Sequence, residues 1–245
     1  MILSIIKSLF RNERQYKLFL ILILTTLFDF SLIFYRLYHT QYDVAAIDTT
    51  TDMLETRGIF GTFFFLIWNL FLAWIPYWVA LSLDVYTRLR RTPSVLSIVF
   101  LLCLWLLFFP NAPYIVTDLL HFKYTTGAVP FWYDLMLLVS FAWTGLILGY
   151  CSLFEVQRVL DTYFSKKITW AFIVAAIWLG SFGVYMGRYQ RWNSWDAFTH
   201  PFSLVRMQIH VLANPLDYIG TLGVVVVLGG FMLLGYMTLS AMRRA

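Results

Sequence analysis

Apolar stretches long enough to cross a lipid bilayer recur six times along the chain. They cover residues 18–37, 59–83, 95–109, 131–154, 168–186 and 218–241, and the third is the shortest. Roughly 20 apolar residues in a helix are needed to cross about 30 Å of hydrocarbon. Because lipid offers the backbone no hydrogen bonds, such segments must be helical. The sequence therefore predicts an all-α, polytopic membrane helix bundle with about six transmembrane helices.

The composition supports a single integral membrane domain over residues 1–245. Hydrophobic residues make up 60% of the chain and charged residues 13%, which leaves few polar side chains to cover a soluble domain. The net charge of +5 does not indicate nucleic-acid binding, because the basic residues lie in small groups beside apolar stretches. Membrane lipids are the expected surroundings, and no nucleic-acid partner is expected.

The distribution of Lys and Arg predicts how the helices are oriented. Twelve of the 18 Lys and Arg residues fall on the side that carries both termini, and six fall on the other side. Cytoplasmic loops of membrane proteins carry the excess of basic residues. Both the N- and C-termini are therefore predicted to be cytoplasmic. The longer loops, near residues 38–58, 110–130 and 187–217, then lie on the outer side.

The stretch FFPNAPYIVTDLLHF, residues 108–122, ends the third apolar segment on the predicted outer side. Pro110 lacks an amide hydrogen, and Pro113 disfavours helical geometry in the residue before it, so we expect the helix to break around Asn111. A break exposes backbone carbonyls. The Asn111 side chain is suited to satisfy them as an ordinary cap, or to bind a ligand there together with Tyr114.

Asp118 and His121 follow the expected break and stand three residues apart. On a short helix this spacing suits a hydrogen-bonded carboxylate and imidazole, two metal ligands, or a general base with its orienting partner. Metal sites need three or four ligands, so this pair alone does not define one. Both residues are candidate catalytic groups, while any metal or cofactor stays unidentified.

A second polar cluster, FWYD, opens the fourth apolar segment. Asp134 falls in the first turn of the predicted helix, where the helix dipole favours a carboxylate. The neighbouring aromatic rings are typical of a membrane interface. Helix-start chemistry therefore competes with a substrate-binding role for Asp134.

A third cluster, GRYQRWNSWDAFTHP, is the densest in the chain. It interleaves Arg188 and Arg191 with aromatic residues that include Trp195. Arg binds phosphate or carboxylate with two parallel hydrogen bonds and aromatic rings stack on flat faces, so the mixture suits an anionic or glycan-like headgroup. A plain interfacial aromatic belt is the alternative. Asp196 and His200, at i and i+4, form a second possible carboxylate and imidazole pair if this loop is helical.

Two polar residues fall near the middle of predicted membrane segments. Asp29 lies in the first segment and Asn69 in the second. Intramembrane acids are costly and normally face the protein interior, which makes Asp29 a functional candidate. The alternative is a structural clasp between helices, in which Asn69 or a hydroxyl group is the partner of Asp29. Asp84 and Glu155, at the predicted cytoplasmic helix ends, are expected to form surface ion pairs of little energetic consequence.

Three of these stretches resemble the DUF1361 family, bacterial integral membrane proteins of unknown function. The resemblance rests on PNAPYIVTDLLH, FWYDL and GRYQRWNSWD, and it covers about residues 60–236. It implies a multi-pass membrane protein whose signature residues lie in the outer clusters, and it implies no activity. The sequence also lacks a Gly-rich phosphate loop, an HExxH run, a nucleophile elbow and zinc-type Cys spacing.

The leading interpretation is a multi-pass protein of the inner (plasma) membrane. Its extracytoplasmic polar and aromatic site would bind a lipid-linked or envelope-derived molecule, with catalysis left open. One alternative is a metal- or acid–base-dependent membrane enzyme acting on a lipid or glycan. A second is a small transporter using Asp29 and Asn69, and a third is an assembly factor that grips a partner membrane protein. We expect one outer cavity to be lined by Asn111, Asp118, His121, Asp134, Arg188 and Asp196.

Overall fold

The computed structural model describes residues 7, 9–45, 52–124, 129–192, 194, 196–213 and 219–244. In this part of the chain there is no β-strand. The helices are α1 (Glu13–Ala45), α2 (Asp52–Leu89), α3 (Val95–Phe108), α4 (Asn111–Tyr114), a 3₁₀ helix (Ile115–Tyr124), α5 (Phe131–Leu160), α6 (Lys166–Tyr189), α7 (Asp196–Thr199), α8 (Pro201–Ala213) and α9 (Ile219–Arg244). The predicted all-α class is confirmed.

Six stretches of the described residues are long and apolar enough to cross a membrane. They are Glu13–His39, Phe65–Leu89, Val95–Phe122, Phe131–Leu160, Lys166–Tyr189 and Gly223–Arg243. Each overlaps one of the six predicted segments, so the prediction of six transmembrane helices is confirmed. The chain is a multi-pass membrane protein.

Helix α5 is the central helix of the bundle. In its most apolar window 72% of the residues are buried inside the protein, against 17% for the stretch that begins at Val95. Helices α1, α2 and α4 and the 3₁₀ helix all pack against α5, and α9 packs against α6. Outward-facing side chains such as Phe34 and Phe100 are strongly exposed and apolar, as a lipid-facing surface requires.

The expected helix break around Asn111 is confirmed, because α3 ends at Phe108 and α4 begins at Asn111, but the expected loss of helical geometry at Ala112 is wrong. Pro110 and Ile115, on either side of α4, both keep α-helical backbone angles, with φ of −58° and ψ of −25° and −27°. Pro113 lies in the first turn of α4, where a missing amide hydrogen costs little. The chain therefore tightens into 3₁₀ geometry instead of bending away. The capping role of Asn111 is confirmed, because its Nδ2 donates a hydrogen bond to the carbonyl of Phe108 at 2.9 Å.

Small residues on α6 let the end of α3 approach closely. A Cβ placed on Gly180 would lie 2.6 Å from Cε1 of Phe109, and one on Gly183 would lie 2.5 Å from Cγ of Pro110. Both distances are well inside van der Waals contact. The two glycines thus fix where the polar stretch that follows Pro110 lies relative to α6.

Residues that the charge pattern assigns to one side of the membrane meet at one end of the bundle. Arg11 Nη2 lies 2.8 Å from Asp84 Oδ1, and Arg158 forms an ion pair with Glu155. The expectation of surface pairs is wrong, because Asp84 is 0% exposed and Glu155 is 3% exposed. Arg11 contacts Asp84 and Gln15 contacts Glu155, so both carboxylates lie inside the protein.

Candidate functional site

Arg188, at the end of α6, reaches four groups on the chain between Tyr114 and His121. Its Nη1 donates to the hydroxyl of Tyr114 at 3.3 Å and to Oδ1 of Asp118 at 3.2 Å. Its Nη2 donates to the carbonyl of Thr117 at 2.6 Å and lies 2.9 Å from Nδ1 of His121. One guanidinium therefore connects α4 and the 3₁₀ helix to α6. We call Asn69, Tyr114, Asp118, His121 and Arg188 the outer network.

Local backbone geometry explains how the outer network forms. In a 3₁₀ helix, residues three apart lie on one face, which puts Asp118 and His121 side by side. Gly187 leaves room for Tyr114, whose ring would be 3.2 Å from a Cβ at that position. The guanidinium carbon of Arg188 then sits 5.5 Å from the centre of the Tyr114 ring, within cation–π range. A basic side chain in the last turn of α6 is also favoured by the helix dipole.

Asp118 is the most buried member of the network, with 1% of its side chain exposed. Its Oδ2 accepts a hydrogen bond from Nδ2 of Asn69 at 2.8 Å, while Oδ1 faces Arg188. Both carboxylate oxygens thus have partners, which a charge in a membrane helix bundle requires. Asn69 belongs to α2, so the network joins α2, the 3₁₀ helix and α6.

His121 contacts Arg188 more closely than it contacts Asp118. Its Nδ1 is 3.8 Å from Oδ1 of Asp118, which is beyond hydrogen-bond distance. Of the three arrangements that the spacing suits, a direct hydrogen bond between the carboxylate and Nδ1 of the imidazole is therefore not the one observed. Because a guanidinium can only donate, Nδ1 of His121 must accept, and the proton of the neutral ring then sits on Nε2. The imidazole is held at a fixed angle, with 29% of the side chain exposed.

Asn111 and the loop after α6 converge at a second contact. Nδ2 of Asn111 lies 3.1 Å from Oγ of Ser194, and that hydroxyl donates to the carbonyl of Leu107 at 3.2 Å. These contacts and those of Arg188 bring residues 111–121 together with Arg188 and Ser194, whereas the single cavity that would also include Asp134 and Asp196 stays a prediction. The sequence analysis did not single out Ser194.

Asp134 pairs with Arg36, which sequence reasoning missed. Nε of Arg36 lies 2.7 Å from Oδ1 and Nη2 lies 3.5 Å from Oδ2, and the side chains are 1% and 0% exposed. The guanidinium also lies 5.3 Å above the ring of Phe63. A cation and an anion that both fall inside apolar segments are normally paired, because an unpaired charge there is costly. The positions of Arg36 and Asp134 within such segments could therefore have indicated this pair. The helix dipole explains why a carboxylate is favoured in the first turn of α5, but it does not explain the ion pair of Asp134 with Arg36.

Asp29 is fully buried, and the expectation of a polar partner is confirmed. Oγ of Ser140 on α5 donates to Oδ1 of Asp29. Within the described residues, Oδ2 of Asp29 has no hydrogen-bond partner. The hydroxyl version of the clasp is the one observed. Asn69 bonds to Asp118 and not to Asp29.

The remaining predicted site residues lie after α6. A backbone hydrogen bond joins the two predicted partners, from the N–H of His200 to the carbonyl of Asp196 at 2.8 Å. Between their side chains, Oγ1 of Thr199 lies 3.5 Å from Oδ1 of Asp196 and 3.0 Å from Nδ1 of His200. Arg191 is exposed and has a φ of 59°, the left-handed region. Trp195 lies outside the described residues.

The described residues contain no group of three or more His, Cys, Asp and Glu side chains arranged to hold a metal ion. The donor sets that are present, such as Asp118 with His121, supply two ligands at most.

Known proteins were compared with the chain at the level of family, curated sequence and solved structure. A family model described as "Protein of unknown function (DUF1361)" matches residues 68–234. This range contains every member of the outer network together with Asn111, Ser194 and Asp134, and it excludes Asp29 and Arg36. No curated protein and no solved structure matches the chain.

Proposed function

The chain belongs to the DUF1361 family, and we propose that it binds an anionic, lipid-linked or envelope-derived molecule beside the outer network. The charge bias favours an inner (plasma) membrane location with both termini in the cytoplasm, so this end of the bundle faces outward. The observation that carries the proposal is the four-fold attachment of Arg188 to the chain between Tyr114 and His121.

The network supports binding because it fixes the surface around it in advance. Ordering side chains and loops on binding costs free energy, and a site that is already held by internal bonds avoids that cost. Here α2, the 3₁₀ helix and α6 are joined through Asn69, Asp118 and Arg188. The terminal nitrogens of Arg188 are occupied by these bonds, so ligand contact falls to neighbouring side chains.

Arg191 is the cation best placed to contact an anion. The charges of Asp118 and Arg188 offset each other, whereas among the described residues no carboxylate forms an ion pair with Arg191. Its φ of 59° is a conformation that costs a non-glycine residue about 1–2 kcal/mol. Backbone strain of this kind is found mainly at functional positions, where the interactions of the side chain contribute more free energy than the strained backbone costs.

An exposed aromatic ring two residues before Arg191 could contact the uncharged part of such a ligand. Tyr189 is 54% exposed, and its ring stacks on that of Tyr185 with centroids 5.4 Å apart. A ring held in this way offers a flat face to a sugar or headgroup. A guanidinium beside an aromatic face is an arrangement that recognises a phosphorylated or carboxylated sugar or lipid headgroup.

The Arg191→Gly variant tests the proposal. Glycine adopts the left-handed region without strain, so we expect unchanged or slightly raised thermal stability together with loss of the guanidinium. Lipid extracts of the purified protein are analysed by mass spectrometry. We expect the anionic species that co-purifies with the wild type to fall about tenfold, as loss of one charged contact predicts.

The matched control is Arg206→Gly, which removes an exposed arginine from α8. It should leave the co-purified species unchanged, although it lowers helix stability by about 1 kcal/mol. Wild-type amounts of the same species on the Arg191→Gly protein would contradict the proposal. So would an extract containing only the bulk phospholipids of the membrane.

Two other functions each have one observation in their favour. The enzyme alternative rests on His121, whose ring is oriented by Arg188 and partly exposed. The His121→Asn variant keeps an acceptor for Arg188 and removes proton transfer. If the wild type converts the ligand and the variant binds it without converting it, catalysis is favoured.

The transport alternative rests on the buried Oδ2 of Asp29. Loss of uptake in Asp29→Asn with retained ligand binding would favour transport.

A further inference from the structure

A cavity of about 900 Å³ opens between α1, α5 and α9 at the end of the bundle opposite the outer network. Its walls come from residues 12–21, 147–158 and 239–243. These are the start of the first membrane-spanning stretch and the ends of the fourth and sixth. The cavity therefore lies where three spans reach the edge of the membrane. Its volume falls in the range of roughly 300–1,000 Å³ typical of sites for small molecules.

The lining changes from apolar to charged across the cavity. Ile147, Tyr150, Phe154 and Leu239 provide apolar and aromatic walls, whereas Arg14 and other charged side chains line the rest. An aromatic and aliphatic wall beside cations is amphipathic in the way that a membrane lipid is. Neither a free ion nor a purely apolar molecule matches both parts of the surface.

The charges of the cavity favour an anion. Four lining residues are cations (Arg14, Lys17, Arg158 and Arg243) and two are anions (Glu13 and Glu155), which gives a net charge of +2. Lys17 pairs with Glu13 at 3.3 Å and Arg158 pairs with Glu155. Among the described residues neither Arg14 nor Arg243 forms an ion pair.

Arg243 is already turned toward the cavity wall. Its guanidinium carbon lies 5.2 Å from the centre of the Phe154 ring. Stacking leaves the edge of the guanidinium, where its N–H groups point, available for a phosphate. Basic pockets between transmembrane helices are suited to anionic lipid headgroups.

We infer that this cavity binds one anionic phospholipid, with the headgroup phosphate at Arg14 and Arg243 and the acyl chains along Tyr150, Phe154 and Leu239. The inference does not rest on the proposed function, since Arg191 and the outer network lie at the other end of the bundle. The site takes an ordinary anionic glycerophospholipid and performs no reaction on it.

Native mass spectrometry of the detergent-purified full chain tests this. Phosphatidylglycerol and phosphatidylcholine with identical acyl chains are titrated separately, and inorganic phosphate is added in a third series. The wild type should bind phosphatidylglycerol at least about tenfold more tightly than phosphatidylcholine, because each basic residue near a headgroup favours the anion. Equal binding of the two lipids would overturn the inference, as would displacement of the lipid by millimolar phosphate.

Two variants locate the site. Replacing Arg14 and Arg243 together by Gln should weaken phosphatidylglycerol binding roughly thirtyfold, and replacing exposed Arg90 and Arg91 by Gln should change it little. Leu239→Trp keeps every charge and places a bulkier side chain on the wall assigned to the acyl chains, so it should also weaken binding. Equal losses in the Arg14/Arg243 and Arg90/Arg91 variants, or full binding by Leu239→Trp, would show surface attraction instead of a cavity. The comparison of the two lipids on the wild type stays decisive if a variant does not fold.

Discussion

Replacing Arg188 by Met removes the cation from the outer network and leaves Asp118 without its charge partner. Asp118 is 1% exposed and Arg188 is 14% exposed, so the carboxylate cannot regain water, and Asn69 is left as its hydrogen-bond donor. Breaking a buried pair in this way costs about 3–5 kcal/mol. The partial exposure of Arg188 places our expectation near 3 kcal/mol. Unfolding by SDS in mixed micelles, followed by tryptophan fluorescence, measures the change in the free energy of unfolding.

Asp118→Asn should cost less, about 1–2 kcal/mol, because Arg188 keeps Thr117 and His121 as acceptors. The double variant should be more stable than the sum of the single losses predicts, with a coupling of about 2 kcal/mol. Arg206→Met, at an exposed position on α8, should change stability by less than about 0.5 kcal/mol. Additive losses within about 0.5 kcal/mol would refute the coupling of Asp118 to Arg188.

Two further predictions concern packing and topology. Gly180→Ala should destabilise the protein by about 1–3 kcal/mol in the same unfolding assay, because its Cβ would overlap Phe109. Gly223→Ala is the control: it has open space around it and should be neutral or stabilising. In a protein whose native cysteines have been replaced, a cysteine at His200 should react with an impermeant thiol reagent in intact cells. A cysteine at Arg90 should react only after permeabilisation. The reverse labelling pattern would contradict the predicted topology.

The helical class and the number of spans follow from apolar length alone, because lipid leaves the backbone no alternative to helix. Convergence of residues 111–121 with residues 187–200 was also predictable, since polar groups in an apolar protein are best satisfied by one another. Tyr114 and Asp118 meet Arg188 as that reasoning expects.

Partners on different helices could not be predicted from spacing. Asn69 bonds to Asp118 and not to Asp29, and Asp134 bonds to Arg36, 98 positions away. These choices depend on how each helix is rotated about its axis. That rotation is set by packing contacts such as Phe109 on Gly180, which sequence periodicity does not reveal.

The central claim is that an anionic envelope molecule binds beside the outer network. Photo-crosslinking in living cells tests it most directly, with p-benzoylphenylalanine in place of Tyr189, which is 54% exposed, or of Phe100, which is 64% exposed on lipid-facing α3. Mass spectrometry should find an anionic, lipid-linked adduct at position 189 that disappears in the Arg191→Gly background, and only ordinary membrane lipids at position 100. The same adducts at both positions, unchanged by Arg191→Gly, would contradict the account.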